Sequence, residues 1–331
     1  MKRTIAIGAL LATICGLVYY LALPAMTFTN AGFWWYVLLC LVCAATTLSV
    51  YYFCEDEGWI PMLVAWITTG VFFVAFVICA IISWRAFQWK NAQAIAQVEE
   101  AQVSIQEVFD DLATSNAVDE LPLIDYDTAK MLSDKQIAGL NHAEWYDVDD
   151  QCNLINYQGK YYRISLVDYG ELFKFGKAKK TGLPGYVLVD VTPVEGKVTQ
   201  SANLVKLEES VQYSPGAFWS HDLRRHLRGQ YVSYVFDESH IEIDDEGTPY
   251  WITGVMRPTG GVWGARSITS VILTNAQTGD SQEYRLEELP EWVDSAFSIG
   301  YLMKIAEWHY ALRDGWWNAS FSQTNVWRTS Y

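Results

Sequence analysis

The sequence predicts an α+β protein carried on N-terminal transmembrane helices: three membrane spans, a helical stalk and two tandem helix-on-antiparallel-sheet units. Three observations predict it. Residues 1–84 hold three long apolar runs in which only Lys2, Arg3, Glu55, Asp56 and Glu57 are charged. The formal charge of −15 falls wholly on the remainder, because those five residues and Arg85 cancel. Beyond Pro122, strand and turn signals arrive twice in nearly the same order.

The spans come first. About 20 apolar residues cross the hydrocarbon of a bilayer as a helix, and the runs 4–23, 32–53 and 59–84 each satisfy that length. Met1-Lys2-Arg3 gives the first run a basic start, as in a signal peptide. Its apolar core is long for one, and Leu23-Pro24-Ala25 is a poor cleavage site, so an uncleaved span is expected. Lys2 and Arg3 favour a cytoplasmic N-terminus, whereas Arg85 and Lys90 pull the other end inward. Three spans from a cytoplasmic start, or a cleaved signal and two spans, both leave the soluble part outside. The expected location is therefore the cell membrane, multi-pass, with an extracytoplasmic domain. Trp34, Trp35, Tyr51, Tyr52, Trp59 and Trp84 stand at run ends, where aromatic belts form.

Residues 85–113 contain no Gly or Pro and place Ile95, Val98, Val103, Ile105, Val108 and Phe109 as a helical stalk would. Asn116, Asp119 and Pro122 break it. The first unit, 122–205, opens on a short helix capped by Asp127 and continues with strands at 161–166, 185–191 and 197–199. The second, 206–290, has a basic helical stretch at 221–228 and strands at 241–243, 249–253, 270–275 and 283–286. Asp245-Glu246-Gly247 and Gln277-Thr278-Gly279-Asp280 supply its turns. The near-equal spacing from Tyr162 to Trp251 and from Asp190 to Asn275 predicts two copies of one unit. In 291–331, Trp292, Val293, Phe297, Tyr301, Ile305 and Trp308 fall at helical spacing. That segment either closes the fold or opens a truncated third unit.

The pieces Gly182-Leu183-Pro184-Gly185-Tyr186-Val187-Leu188-Val189-Asp190, Tyr213-Ser214-Pro215, Arg224-Arg225-His226-Leu227-Arg228, Ile243-Asp244-Asp245-Glu246-Gly247-Thr248-Pro249-Tyr250-Trp251 and Asn275-Ala276-Gln277-Thr278-Gly279 resemble a family of uncharacterised membrane-anchored proteins of Gram-positive bacteria. A helix, then Pro-Tyr-Trp, then a strand ending in Asn-Ala-Gln-Thr-Gly also resembles PepSY-type and cystatin-like modules, although the insert from Met256 to Ile268 departs from their compact form. That second resemblance implies a non-catalytic extracytoplasmic module of the kind found in peptidase propeptides and membrane sensors.

Chemistry-bearing clusters are few. Cys40-Leu41-Val42-Cys43 is the spacing of a membrane thiol oxidoreductase, but nothing polar lies near in sequence to activate a thiol, and cysteine packs well as a small hydrophobe. Cys15, Cys54 and Cys79 also belong to the apolar region. Cys152 stands alone beyond it, so no disulfide can staple that domain. The five histidines have no zinc spacing. Asp147, Asp149 and Asp150, and Asp244, Asp245 and Glu246, lack the spacing of a calcium loop, and the second set reads as a hairpin turn. Arg224 and Arg228 share a helical face with His221 and could take a carboxylate from a ligand, with an internal ion pair as the plainer role. Among 15 tryptophans and 20 tyrosines, most belong in a core. Trp251 and Trp263 are the candidate binding aromatics, Trp263 because a Gly-flanked loop gives it little local reason to be buried.

No nucleophile elbow, zincin, phosphate-loop or dinucleotide motif is present. The acidic balance disfavours nucleic acid. The expected function is non-catalytic binding, sensing or scaffolding in the cell envelope, without cofactor or metal, with lipid around the spans and a protein or peptide partner. The rival readings are a thiol oxidoreductase using Cys40 and Cys43, and an inhibitor or chaperone of an envelope peptidase.

Overall fold

The computed structural model describes residues 2–55, 58–96, 123–194, 197–198 and 201–326. Three apolar helices, α1 (Lys2–Ala22), α2 (Ala31–Glu55) and α3 (Ile60–Ile82), run up, down and up, and each is long and apolar enough to cross a membrane. Their sides are largely bare: Leu10, Leu21, Val64, Ile67, Val71 and Val74 are all exposed. Leu23, in the left-handed region at φ 45°, ends α1 ahead of Pro24. The Asn30 side chain accepts the Gly32 N–H at 2.7 Å where α2 begins, and Pro61 sits in the first turn of α3.

At the far end of the chain from Lys2 lies an α+β body with two antiparallel sheets. The first contains β1 (Tyr146–Val148), β2 (Asn153–Tyr157), β3 (Lys160–Tyr169), β4 (Leu183–Asp190) and β7 (Ala202–Val211); a separate two-stranded ribbon joins β5 (Pro193–Val194) to β6 (Lys197–Val198). The second contains β8 (Val235–Phe236), β9 (His240–Ile243), β10 (Pro249–Pro258), β11 (Arg266–Asn275) and β12 (Ser281–Arg285). One pairing scheme serves both. A short strand pairs with the second half of a long one, as in Val148–Val167 and Phe236–Val255, and a hairpin partner covers its first half. Two further antiparallel neighbours follow in chain order.

Alternation along the strands sorts side chains into layers. Ile164, Leu166, Tyr186, Leu188, Trp251, Val255 and Ile272 face inward and join one core shared by the two sheets. Val167, Val187 and Val189 point the other way, under α5 (Tyr126–Ile137) with its Ala129 and Leu132. On the second sheet Ile252, Val271 and Leu273 point outward under α8 (Ile299–Ala311) with its Tyr301. Tyr186 donates its hydroxyl to the Gly247 carbonyl at 2.9 Å across the layers.

Several expectations change. The boundary at 205/206 falls inside β7, a strand whose mixed composition hid it, and β1, β2 and β8 are also additions. The cap of α5 is Asp125, which accepts the Thr128 N–H at 2.9 Å, two residues before the expected Asp127. The strand order repeats but the helix placement does not. Two further helices, α6 (Leu172–Ala178) through Phe175 and Ala178 and α7 (Leu223–Gln230) through Leu223 and Leu227, insert beside the shared core instead of covering a sheet's outer face. The outer face of the second sheet is covered by α8. That helix starts at Ile299, not Glu291, because the Glu242 carboxylate, 2% exposed, takes the N–H groups of Asp294 and Ser295 and holds 294–295 out of a helix. The expected stalk begins as α4 (Arg85–Gln93), packed through Trp89 and Ala92 on Trp308 and Leu312; its remainder from 97 to 113 lies outside the described residues.

Asp147, Asp149 and Asp150 diverge, so they do not form a cation site. Asp150 pairs with Lys130, Asp147 is exposed, and Asp149 turns inward toward Asp168. Asp168, 6% exposed, ties the first sheet to the following turn by accepting the Ser214 hydroxyl at 2.6 Å and the Gly216 N–H at 2.9 Å. Burial, and secondarily the Asp168 charge, pushes the Asp149 carboxyl up to about 7. An acid that stays protonated when folded but ionises near pH 4 when unfolded stabilises the fold most below about pH 4, and that contribution is lost as pH rises through 7. Asp149→Asn is therefore expected to raise stability by about 1–3 kcal/mol at pH 8 and by little at pH 4, measured by chemical denaturation in detergent at both pH values.

Candidate functional site

The body meets the apolar helices at the ends of α1 and α3 and at the start of α2, and three sets of contacts make the junction. The last carbonyls of a helix lack intrahelical donors and carry its negative dipole end. At the end of α1 they receive arginines from α7. Arg225 donates to Tyr20 O at 2.5 Å, Arg224 to Ala22 O at 3.5 Å and Arg228 to Leu23 O at 3.2 Å. Arg225 also lies over the Tyr20 ring, 4.1 Å from its centre.

Arg228 is the buried member. Its guanidinium adds the carbonyls of Tyr231, Val232 and Tyr234 at 3.0, 3.1 and 2.6 Å and covers the Phe236 ring at 4.6 Å. Burial, with Arg224 nearby, brings its pKa down to about 10. Among the described residues neither Arg224 nor Arg228 forms a salt bridge, so the expected ion-pair role gives way to carbonyl capping: unpaired carbonyls were closer at hand than acids. His221 does not join them. It lies before α7 begins, with Nδ1 3.1 Å from Gln212 O and its ring against Tyr213 and Phe175.

The second contact is the β10–β11 hairpin, whose tip reaches α3. Gly260, Gly261 and Gly264 permit the approach. A Cβ on Gly261, at φ 65°, would sit 2.8 Å from the Ser83 Cα, and one on Gly264 would sit 1.9 Å from Gly260 O. Ser83 Oγ accepts the N–H groups of Val262 and Trp263, each at 2.9 Å. Trp263 is thereby laid between Trp34 and Phe76, at centroid distances of 5.7 and 5.0 Å, and donates to Phe28 O at 3.1 Å. The third contact joins the α1–α2 loop to the body through Met26 N–H to Val232 O at 2.8 Å and Arg266 to Thr29 O.

Both candidate tryptophans are thus reassigned. Trp251 is wholly buried and donates to Tyr213 O at 2.8 Å, so no outside partner can reach it. Trp263 serves the chain's own helices, a role its glycine flanks signalled as an unusual loop without saying what it meets. Cys40 and Cys43 face Cys15 of α1 within the apolar helices. All six cysteines are free. Asp244 accepts the N–H groups of Glu246 and Thr248 at 3.1 and 2.7 Å, the expected hairpin turn. Among the described residues no group of three or more His, Cys, Asp or Glu could hold a metal ion.

These contacts border a half-open cavity of about 950 Å³ between helices and body. Val18, Leu23, Trp35, Tyr36 and Leu39 form its wall on the helix side, and Leu227, Val235 and Phe236 continue it on the body side. Its polar lining holds Gln151, Asp237, Glu238 and Ser239 at one end and Asp222, Arg224 and Arg228 on the α7 side, where Arg228 is already engaged with carbonyls. The Gln151 amide nitrogen reaches Glu238 at 3.4 Å, while Gln151 Oε1 and Asp237 Oδ2 are buried without a protein donor among the described residues. Spare acceptors at one end of an apolar chamber suit a ligand with an apolar body and a donor-rich or cationic head. No local pattern marks Gln151 or Asp237: they lie far apart in the chain and only the layering brings them together. No family model, curated protein or solved structure matches this chain.

Gly261→Ala is expected to cost about 1–3 kcal/mol through its positive φ and the contact with Ser83. Arg228→Lys should cost a similar amount, since one ammonium on a flexible stem cannot reach the Leu23 carbonyl and the three carbonyls around Nη1 together. In both variants limited proteolysis between α3 and the body should quicken, with the protein kept in detergent and followed by gel.

Proposed function

We infer that this chain is a membrane-anchored, non-catalytic binding or sensing protein of the bacterial cell envelope, with α1, α2 and α3 in the bilayer and the α+β body outside the cytoplasm. The single observation that carries the reading is the cavity at the junction. Its wall is shared by helices and body, so a ligand there contacts both and stabilises their docked arrangement by mass action. The spare acceptors of Asp237 and Gln151 favour a peptide or other ligand with a cationic head over an anionic one. Bare apolar helix sides support the membrane placement, because no protein surface covers them. The basic start at Lys2 and Arg3, on the side of the helices away from the body, supports the orientation. The resemblance to uncharacterised membrane-anchored proteins of Gram-positive bacteria is in keeping with the membrane anchor.

Sidedness has a direct test. Cys54 is exposed at the α2–α3 connection and Asp245 is exposed on the opposite side, in the β9–β10 turn. In intact cells a membrane-impermeant maleimide should label Asp245→Cys and leave Cys54 unreacted until lysis; the reverse pattern would invert the topology. Ligand binding has another. A photoreactive residue at Ser239 should capture a peptide-bearing adduct in living cells, one at Asp245 should not, and Asp237→Asn should reduce capture about tenfold, the equivalent of one charged hydrogen bond. Equal capture at both positions, or none affected by Asp237→Asn, rejects the cavity as the site. Replacing Cys40 and Cys43 by Ser should leave that capture unchanged.

A further inference from the structure

A second cavity, of about 640 Å³, lies on the other flank of the junction where α3 passes into α4. Its charge is opposite to that of the chain as a whole. Arg85 from the first turn of α4, Arg266 from the start of β11 and Lys304 from α8 line it, and among the described residues no carboxylate does. Arg85 and Lys304 lie over the same ring, that of Trp308, at 5.7 and 5.2 Å from its centre. Arg266 spends one guanidinium nitrogen on Thr29 O, while its Nη1 is buried with no acceptor among the described residues. A buried N–H without an acceptor is costly, and in a chain of net charge −15 three cations around one chamber form no salt bridge among the described residues.

The chamber opens beside an exposed aromatic patch. Trp84 touches Phe87 and Trp316, and the run continues through Trp317 to Phe321, with centroid distances of 5.0–6.0 Å between neighbours. Trp84, Phe87, Trp317 and Phe321 are all exposed. They stand level with the end of α3, the depth at which tryptophan settles among lipid headgroups. Cations behind an interfacial aromatic patch are arranged as a site for a phosphate that arrives from the membrane side.

We propose that the cavity between α4, β11 and α8 binds the phosphodiester headgroup of an anionic phospholipid through Arg85, Arg266 and Lys304, with the acyl chains passing the Trp84–Phe321 patch into the bilayer. The proposal rests on the membrane placement of α1, α2 and α3. Its ligand differs from that of the junction cavity, whose spare groups are acceptors. A bound lipid supplies the acceptor that Arg266 Nη1 lacks and ties α4 and α8 to the leaflet, so the lipid composition around the helices bears on how firmly the body is seated.

The test uses the full chain in detergent, titrated with phosphatidylglycerol or phosphatidylcholine and read by native mass spectrometry. Phosphatidylglycerol should be retained at least tenfold more tightly. Arg85→Gln and Lys304→Gln, both at exposed positions, should each weaken that retention about fivefold, whereas Lys160→Gln on the distant β2–β3 hairpin should not. Equal retention of the two lipids, or retention unaffected by the pair of substitutions, overturns the proposal. So does inorganic phosphate displacing the lipid at comparable concentration, which would mark a site for free anions. Separately, recovery of the protein from cells in the aqueous fraction without detergent would defeat the membrane placement itself, while recovery only with detergent leaves the lipid titration to decide the headgroup site.

Discussion

The carbonyl oxygens at the end of α1 need donors, and the chain answers them with a helix from more than two hundred residues away. Leu23 turns its own carbonyl inward by adopting a left-handed conformation, and Arg228 receives it together with three carbonyls from the segment that follows α7. That one guanidinium therefore fixes the end of an apolar helix, the end of α7 and the entry to β8. Everything at the junction, including the shape of the larger cavity, depends on this geometry. The planar fork is what makes it work, because four acceptors from different directions can be met without a counter-charge.

Around that anchor the body behaves as a doubled layer with unequal caps. The two sheets repeat one strand order and share a core, yet the first sheet is covered by the helix that precedes it and the second by the helix that follows it. This exchange frees α7 to turn toward the apolar helices. It also brings α8 next to α4, so the chain's last described segments pack on the segment that leaves α3. The long β10–β11 hairpin then has a surface to rest on, and its glycines allow backbone to approach backbone where a side chain would not fit. The result is two chambers of different chemistry on the two flanks of one junction: mixed charge with spare acceptors on one side, cations without a carboxylate among the described residues on the other.

Much of this was legible locally. Apolar length located α1, α2 and α3, alternation located β3, β4, β9, β10 and β11, and Asp245-Glu246-Gly247 announced its turn. What failed did so for nameable reasons. β7 carries Lys206, Glu208 and Glu209 among its apolar residues, and that composition reads as a surface segment. The start of α8 was misplaced because Glu242, distant in sequence, claims the N–H groups ahead of it. Arg224 and Arg228 stand out as cations in an acidic body, but their partners are carbonyls, which no composition reveals.

By itself the sequence determined the apolar segments, the α+β class and the repeated strand grammar, because each follows from how a short stretch partitions between water and a nonpolar surface. Only the tertiary structure decided which helix covers which sheet, that Trp251 is core and Trp263 a tether, and where the two chambers lie. Those outcomes depend on donors and acceptors finding each other across long loops. A buried carbonyl or carboxylate accepts whichever N–H the packing delivers, and that choice is made in space and not along the chain.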